Sequence, residues 1–272
     1  MVIGFEGEEK PRPAFVRKAE DVSRLVWNDR CSGSLARYLL RNGTDRGPDQ
    51  QQSGPLQPKG KTAVVAKGCD VRAIAVLIRE VQVRREEVFI IGMDCAFQTD
   101  RGKKLPRCSA CDCHRPEIFD VLIESDLAGS SPAPDNYSDV AEIGKLPVEK
   151  RLAYWLMQME RCVRCYACRQ ACPLCYCEEC AAETVLPRWL PRAPSALSNL
   201  YFHAMRAMHL AGRCVDCGEC ERACPAEIPL RTLMRKAAKD LEEIYGWKVS
   251  TGMEVKGPLS TFAPDDPGPG FK

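Results

Sequence analysis

Two copies of one cysteine spacing constrain this chain more than anything else in it. The first, Cys162-x2-Cys165-x2-Cys168-x3-Cys172-Pro173, lies within RCVRCYACRQACPLCYCEEC (161–180). The second is Cys214-x2-Cys217-x2-Cys220-x3-Cys224-Pro225. In such a run, three cysteines two residues apart wrap a tight loop around one corner of an iron–sulfur cubane. The fourth, followed by proline, serves a different cluster. Two runs therefore complete one another. The spacing predicts one [4Fe–4S] cluster on Cys162, Cys165, Cys168 and Cys224, and a second on Cys214, Cys217, Cys220 and Cys172.

The chain has 272 residues, room for one large domain or two small ones, and 17 cysteines. A disulfide framework suits small secreted domains, whereas the start, MVIGFEGEEKPRP, lacks an apolar signal segment. Clustered C-x-x-C spacing in a reducing compartment reads as metal binding. Zinc is the alternative, but a structural zinc site needs neither a third cysteine per run nor the trailing Cys-Pro. A net charge of +2 offers no field for nucleic acid, and no run of apolar residues is long enough for a membrane span. A soluble, cytoplasmic protein is expected.

Residues 1–17 read as irregular. Residues 18–42 suit two helical segments on Val22, Leu25, Val26, Leu35, Leu39 and Leu40, with a break near Cys31-Ser32-Gly33. Residues 43–61 read as a polar loop rich in Gly, Pro and Gln, long enough for a lid, an insertion or simple disorder. Thr62–Ala66 reads as a strand, Val71–Val81 as a helix with Asp70 as its N-cap, and Val88–Gly92 as a second strand. That order is a βαβ unit and implies a parallel sheet. Cys69 and Cys95 then fall just past the carboxyl ends of strands, the edge where open α/β sheets place ligands. Ile118–Ile123 reads as a third strand, and AGSSPAPDN (128–136) as a linker.

The second half reads as helical. One helix runs from Pro147 to about Glu160, with Leu152, Trp155, Leu156 and Met159 on one face. Another spans about Ala196–Ala211, with Leu197, Leu200, Tyr201, Ala204, Met208 and Ala211 as its apolar stripe, Ser195 capping its start and Gly212 its end. A last helix, about Arg231–Tyr245, stops at Gly246. The fold class expected is α/β: a small parallel-sheet domain over 1–135, an all-α dicluster domain over 136–256, and a flexible tail over 257–272.

A helix with its own apolar stripe separates Cys172 from Cys214, where a compact bacterial ferredoxin would have short hairpins. Together with the paired runs in NLYFHAMRAMHLAGRCVDCGECERACPAEIPLRTL, this resembles the α-helical ferredoxin module of succinate dehydrogenase and heterodisulfide reductase iron–sulfur subunits. The first half, KTAVVAKGCDVRAIAVLIREVQVRREEVFIIGMDC followed by CSACDCHRPEIFDVLI, resembles the beta-subunit family of coenzyme F-420 hydrogenases and formate dehydrogenases. That resemblance implies a third [4Fe–4S] cluster on Cys69, Cys95, Cys108 and Cys111, with Cys113 as a substitute for Cys111. A helix N-terminus at Cys69 would favour an anionic ligand. The F-420-reducing members carry a larger flavin-binding region, and no G-x-G-x-x-G or P-loop is present, so flavin and deazaflavin are not expected.

Cys31, Cys113, Cys175, Cys177 and Cys180 remain. Cys175-Tyr-Cys177-Glu-Glu-Cys180, joined by Cys31 or Cys113, is a candidate for a fourth cluster or a zinc, and small buried thiols are the bland alternative. His203 and His209 suit the helix surface or ordinary packing, and His114 a hydrogen bond to cluster sulfur. Arg161, Arg164, Arg169 and Arg213 are candidates to offset cluster charge, with solvated surface residues as the alternative. Trp155 and Trp189 suit core or interface. No catalytic set stands out. The resemblances imply an electron-transfer subunit of a formate dehydrogenase, hydrogenase or heterodisulfide-reductase-like complex, partnered by its other subunits. The competing readings are a flavin- or deazaflavin-dependent beta subunit with its own substrate site, and a zinc-stapled interaction module.

Overall fold

A computed structural model describes residues 1–40, 61–109, 111–124 and 137–260. The expected polar loop (43–60), the linker (128–136) and most of the tail (261–272) lie outside the described residues. The chain divides into two units, Met1–Pro134 with Thr251–Met253, and Asp135–Ser250 with Glu254–Lys272.

The first unit is built on a five-stranded sheet. Its strands are β1 (Val2–Glu6), β2 (Arg12–Val16), β3 (Thr62–Ala66), β4 (Val88–Met93) and, after the two-residue pair β5 (Thr99–Asp100) and β6 (Lys103–Lys104), β7 (Val121–Ile123). The order is β2-β1-β3-β4-β7, with β1, β3, β4 and β7 parallel and β2 antiparallel to β1. Helix α1 (Gly68–Arg79) connects β3 to β4, the crossover that parallel neighbours require. It buries Val71, Ala73, Ile74, Ala75, Val76 and Leu77, and β3 and β4 bury Val64, Ala66, Val88 and Ile90.

The amino terminus corrects the sequence expectation. Residues 1–17 are not irregular: Ile3 and Phe5 alternate inward on β1, and Gly7 supplies a left-handed turn (φ 88°) into β2. Pro13 is tolerated because β2 is an edge strand. Within residues 18–40 lie two short 3-10 helices, Ala19–Arg24 and Leu35–Leu39, rather than α-helices. Between them the Cys31 and Gly33 carbonyls accept from Lys67 Nζ at 3.2 and 2.9 Å, so this segment's backbone is spent on a buried ammonium. α1 starts three residues early: Lys67 is its N-cap, and Asp70 Oδ2 accepts the Lys67 N–H at 3.1 Å. β7 is shorter than Ile118–Ile123, because the Asp120 carboxylate takes the Ile90 N–H at 2.7 Å before the ladder begins.

The second unit is helical: α2 (Ser138–Gly144), α3 (Val148–Glu160), α4 (Ala167–Ala171), α5 (Ala196–Leu210), α6 (Glu219–Arg222) and α7 (Leu230–Tyr245). α5 packs between α3 and α7, and the two short helices α4 and α6 pack on each other. Ser195 caps α5 by accepting the Ser198 N–H at 3.3 Å, and left-handed Gly246 ends α7. The mixed α/β class holds, with a mixed sheet in the first unit and helices in the second.

The facing of α5 reverses the expectation. Its apolar stripe points outward: Leu197 is 70% exposed, Tyr201 50% and Met208 74%. The inward face carries Asn199, Phe202, His203, Arg206, Ala207 and Leu210. The polar residues are buried because the neighbouring cysteine loops supply partners. Asn199 Nδ2 donates to the carbonyls of Met159 (3.0 Å) and Cys162 (2.7 Å), and Arg206 Nη2 to that of Cys168 (3.1 Å).

Candidate metal centres

The two cysteine runs follow one backbone course. Arg164 and Asp216 hold the same position, as do Tyr166 and Gly218, and all four are left-handed, with φ between 52° and 66°. Three of them carry side chains that disfavour this conformation. Alternation of left- and right-handed residues turns successive N–H groups toward one point, a concavity suited to anions and iron–sulfur sites. The capping pattern repeats as well. Cys172 N–H bonds to Arg169 O at 3.2 Å and Cys224 N–H to Glu221 O at 3.0 Å. Cys175 N–H bonds to Cys172 O at 3.4 Å and Glu227 N–H to Cys224 O at 3.1 Å, so Cys175 and Glu227 are counterparts.

Folding brings the runs together. Cys162 lies within electrostatic reach of Cys165 and Cys224, and Cys168 within reach of Cys162 and Cys224. Cys214 lies within reach of Cys220. Cys172, Cys220, Cys175 and Cys168 all lie within electrostatic reach of the buried Arg206. Burial pushes the Cys168 and Cys220 thiols up to about 11 and Cys214 up to about 12, so without metal they are neutral. A coordinating metal deprotonates its thiols outright, and a buried set of this kind suits that ligand. Arg206 adds the complementary sign.

The α/β unit gathers a third set. Cys69 lies in the first turn of α1, Cys95 two residues past β4, and Cys108, Cys111 and Cys113 in the segment before β7. Cys95 lies within reach of Cys108 and Cys111, and Cys69 within reach of Cys95. Cys111 and Cys113 Sγ stand 3.7 Å apart. This mutual hydrogen bond pulls Cys111 down to about 6 and holds Cys113 as the thiol. The fully buried Gln98 donates Nε2–H to Cys95 Sγ at 3.2 Å and its backbone N–H to Cys108 Sγ at 3.3 Å. His114 Nδ1 lies 2.8 Å from Cys95 O, and Cys95 N–H donates to His114 O at 2.9 Å, which joins the two loops. Gly68 makes room: a Cβ there would stand 1.9 Å from the Cys113 carbonyl oxygen. Behind the thiols, Lys67 pairs with Asp70 at 2.9 Å, and Lys67 and Arg107 both lie within electrostatic reach of Cys69.

The remaining cysteines differ in burial. Cys31 is fully buried, receives the Asn28 N–H at 3.4 Å, and has its thiol 3.7 Å from Val26 O. Cys175 leans on Cys172, Cys177 is exposed and Cys180 is half-buried. Among the described residues, no three His, Cys, Asp or Glu side chains converge on a point fit for a single metal ion. A lone zinc needs four donors near 2.3 Å, whereas a cubane takes each thiol on its own iron and so a wider ring.

Several contributors escape sequence reasoning. His203 takes the packed rather than the surface alternative, and its Nε2 stands 3.5 Å from Cys162 Sγ, a contact the spacing does not suggest. Burial, with Arg206 and Arg164 nearby, lowers it to about 4 and keeps it neutral. Of the expected arginines, Arg164 is tied to Asn199 Oδ1 (3.0 Å), Ser198 and Pro191, Arg161 to Gln158 Oε1 (3.0 Å), Arg169 to Glu183, and Arg213 to His209 O (3.0 Å) and the Tyr176 ring. Arg164 also lies within electrostatic reach of Cys162. Arg206 is not among the expected arginines, yet it lies within electrostatic reach of thiols from both runs. Its signal is the polar stripe Asn199, His203, Arg206 at i, i+4, i+7 between two cysteine runs.

The chain is similar to several known proteins over part of its length. About 100 residues are 35% identical to the beta subunit of an F-420-dependent formate dehydrogenase from Methanocaldococcus jannaschii, covering 37% of this chain and 25% of that protein. The corresponding subunit of Methanococcus maripaludis formate dehydrogenase 1 is 34% identical over 112 residues, 40% of this chain and 28% of that protein. The alpha 1 subunit of the acetyl-CoA decarbonylase/synthase complex of Methanosarcina mazei is 28% identical over 110 residues, 40% of this chain and 12% of that protein. The matched stretches thus span about a quarter or less of these relatives. Residues 161–229 match the family described as the 4Fe-4S dicluster domain, so the helical unit carries a 4Fe-4S dicluster domain within a chain similar to formate dehydrogenase beta subunits.

Proposed function

We propose that this chain is an electron-transfer subunit that relays single electrons through [4Fe–4S] clusters between a catalytic and an acceptor subunit. A bound cubane supplies reversible one-electron chemistry. The protein's part is to hold it and screen it. Cys162, Cys165, Cys168 and Cys224 hold one cluster in this reading, and Cys214, Cys217, Cys220 and Cys172 the other. The observation that carries it is the repeated left-handed backbone of the two runs, combined with Cys224 joining Cys162 and Cys168 across the sequence.

The α/β thiols Cys69, Cys95, Cys108 and Cys111 hold a third cluster, with Cys113 as the reserve ligand. Names of the relatives point to a formate dehydrogenase, hydrogenase or heterodisulfide-reductase-like assembly as the setting. Seventeen cysteines point to a reducing, cytoplasmic compartment. Among the described residues no helix is long and apolar enough to cross a membrane.

Oxygen-free purification with iron, acid-labile sulfide and reduced-state EPR measurements tests the reading. About 12 irons are expected for three clusters and about eight for the dicluster unit alone. Cys165→Ala and Cys217→Ala should each remove one cluster's signal. Unchanged iron in both variants would overturn the ligand sets, and sulfide-free protein would overturn the function.

A further inference from the structure

Arg206 is the least conventional charge in the helical unit. It sits mid-helix on α5, is 4% exposed, and pairs with no carboxylate among the described residues. Nη2 donates to Cys168 O at 3.1 Å, while Nε and Nη1 are buried without a hydrogen-bond partner. Other inward arginines of this unit are neutralised. Arg231 reaches Asp216 at 2.6 Å, and Arg235 reaches Asp216 at 2.8 Å and Asp139 at 3.0 Å. An uncompensated buried guanidinium is costly unless negative charge lies beside it. Beyond the Cys168 carbonyl, thiols from both runs lie within electrostatic reach of Arg206: Cys168 from the first cluster set, Cys172 and Cys220 from the second, and Cys175, with the neutral His203 beside them.

We propose that Arg206 is the shared counter-charge of the two clusters, a positioning residue that raises both reduction potentials at once. The inference rests on the dicluster reading above. Each cluster gains one negative charge on reduction, with no bond made and no proton required. A fixed cation in a low-dielectric interior stabilises that added charge more than water would. One cation against both thiolate sets shifts both potentials in the same direction. Arg164, Arg161 and Arg213 each satisfy their guanidinium on oxygen acceptors of the protein, which leaves Arg206 with two N–H-bearing nitrogens for sulfur.

The test is a redox titration of the full chain, purified without oxygen, with EPR following each cluster. Arg206→Gln keeps two hydrogen-bond donors and loses the charge. Both potentials should fall by at least the equivalent of a tenfold change in the one-electron equilibrium constant, about 59 mV. Iron and sulfide should stay at the wild-type count. Arg206→Lys restores the charge, and both potentials should return to within about threefold of wild type. Intact clusters with one or both potentials unmoved in Arg206→Gln would overturn the shared role. If Arg206→Gln fails to hold iron, the Lys variant decides: full iron with near-native potentials supports the charge role, and loss of clusters there too overturns it. Wild-type protein lacking sulfide would instead defeat the underlying dicluster reading, an outcome visible before any variant is made.

Discussion

The two units gather thiols by opposite means. In the helical unit each cysteine loop is shaped locally, by left-handed residues at Arg164, Tyr166, Asp216 and Gly218, and the tertiary fold only has to bring two finished loops together. In the α/β unit no loop is finished by itself. Cys69 comes from the first turn of α1, Cys95 from the end of β4, and Cys108 to Cys113 from a segment keyed against Gly68. A locally shaped site tolerates damage elsewhere, whereas a converging site depends on every contact that closes it.

The largest expected effect breaks the converging site. Gly68→Ala drives a methyl group into the Cys113 carbonyl, and overpacking against backbone costs about 3 kcal/mol or more. Iron should fall by about four atoms while both dicluster EPR signals persist; loss of the dicluster signals instead would erase the contrast between the units.

Asp216→Ala comes next, because it removes the acceptor shared by Arg231 and Arg235, which are 7% and 3% exposed. Stranding buried charge costs about 3–5 kcal/mol, and denaturant unfolding of the oxygen-protected protein should show it. The matched Arg164→Ala breaks bonds to neutral acceptors and should cost about 1–3 kcal/mol, so equal losses would deny that the two loops are anchored differently.

Gly218→Ala places a side chain at φ 66° and should destabilise by about 1 kcal/mol without releasing iron. The smallest effect belongs to the sheet edge. Burial pulls the Asp120 carboxyl up, but the Arg85 and Ile90 hydrogen bonds outweigh it and hold the group below the ordinary carboxylate range. Its contribution is therefore present above about pH 4 and lost as pH falls through the lowered value. Asp120→Asn should cost under about 1 kcal/mol at pH 6 and approach wild-type stability near pH 3; a gap that widens toward acid would contradict the sign.

The cysteine runs were legible because a cluster ligand pattern is a local code in which spacing fixes loop shape. The βαβ unit was legible for a similar reason, since β3, α1 and β4 each carry their own periodicity. The amino-terminal hairpin was not: VIGFE is too short to show alternation, and its turn, EGEEKP, reads as loop in any context. Helix α5 misled more instructively. Its apolar stripe is real, but hydrophobicity predicts the buried face only where the surroundings are apolar. Here carbonyls and thiols make up part of the surroundings, so Asn199, His203 and Arg206 turn inward beside Phe202 and Leu210, while Leu197, Tyr201 and Met208 turn out.

The Cys113 oxygen seated against Gly68 also bears on biogenesis. About 45 residues separate Cys69 from Cys113, and the chain must close that loop before the α/β sulfurs face one another. Until then each is an ordinary thiol, open to peroxide or to stray pairing with its many neighbours. On the three-cluster reading, docking of the strands and their crossover therefore has to precede iron insertion at these thiols.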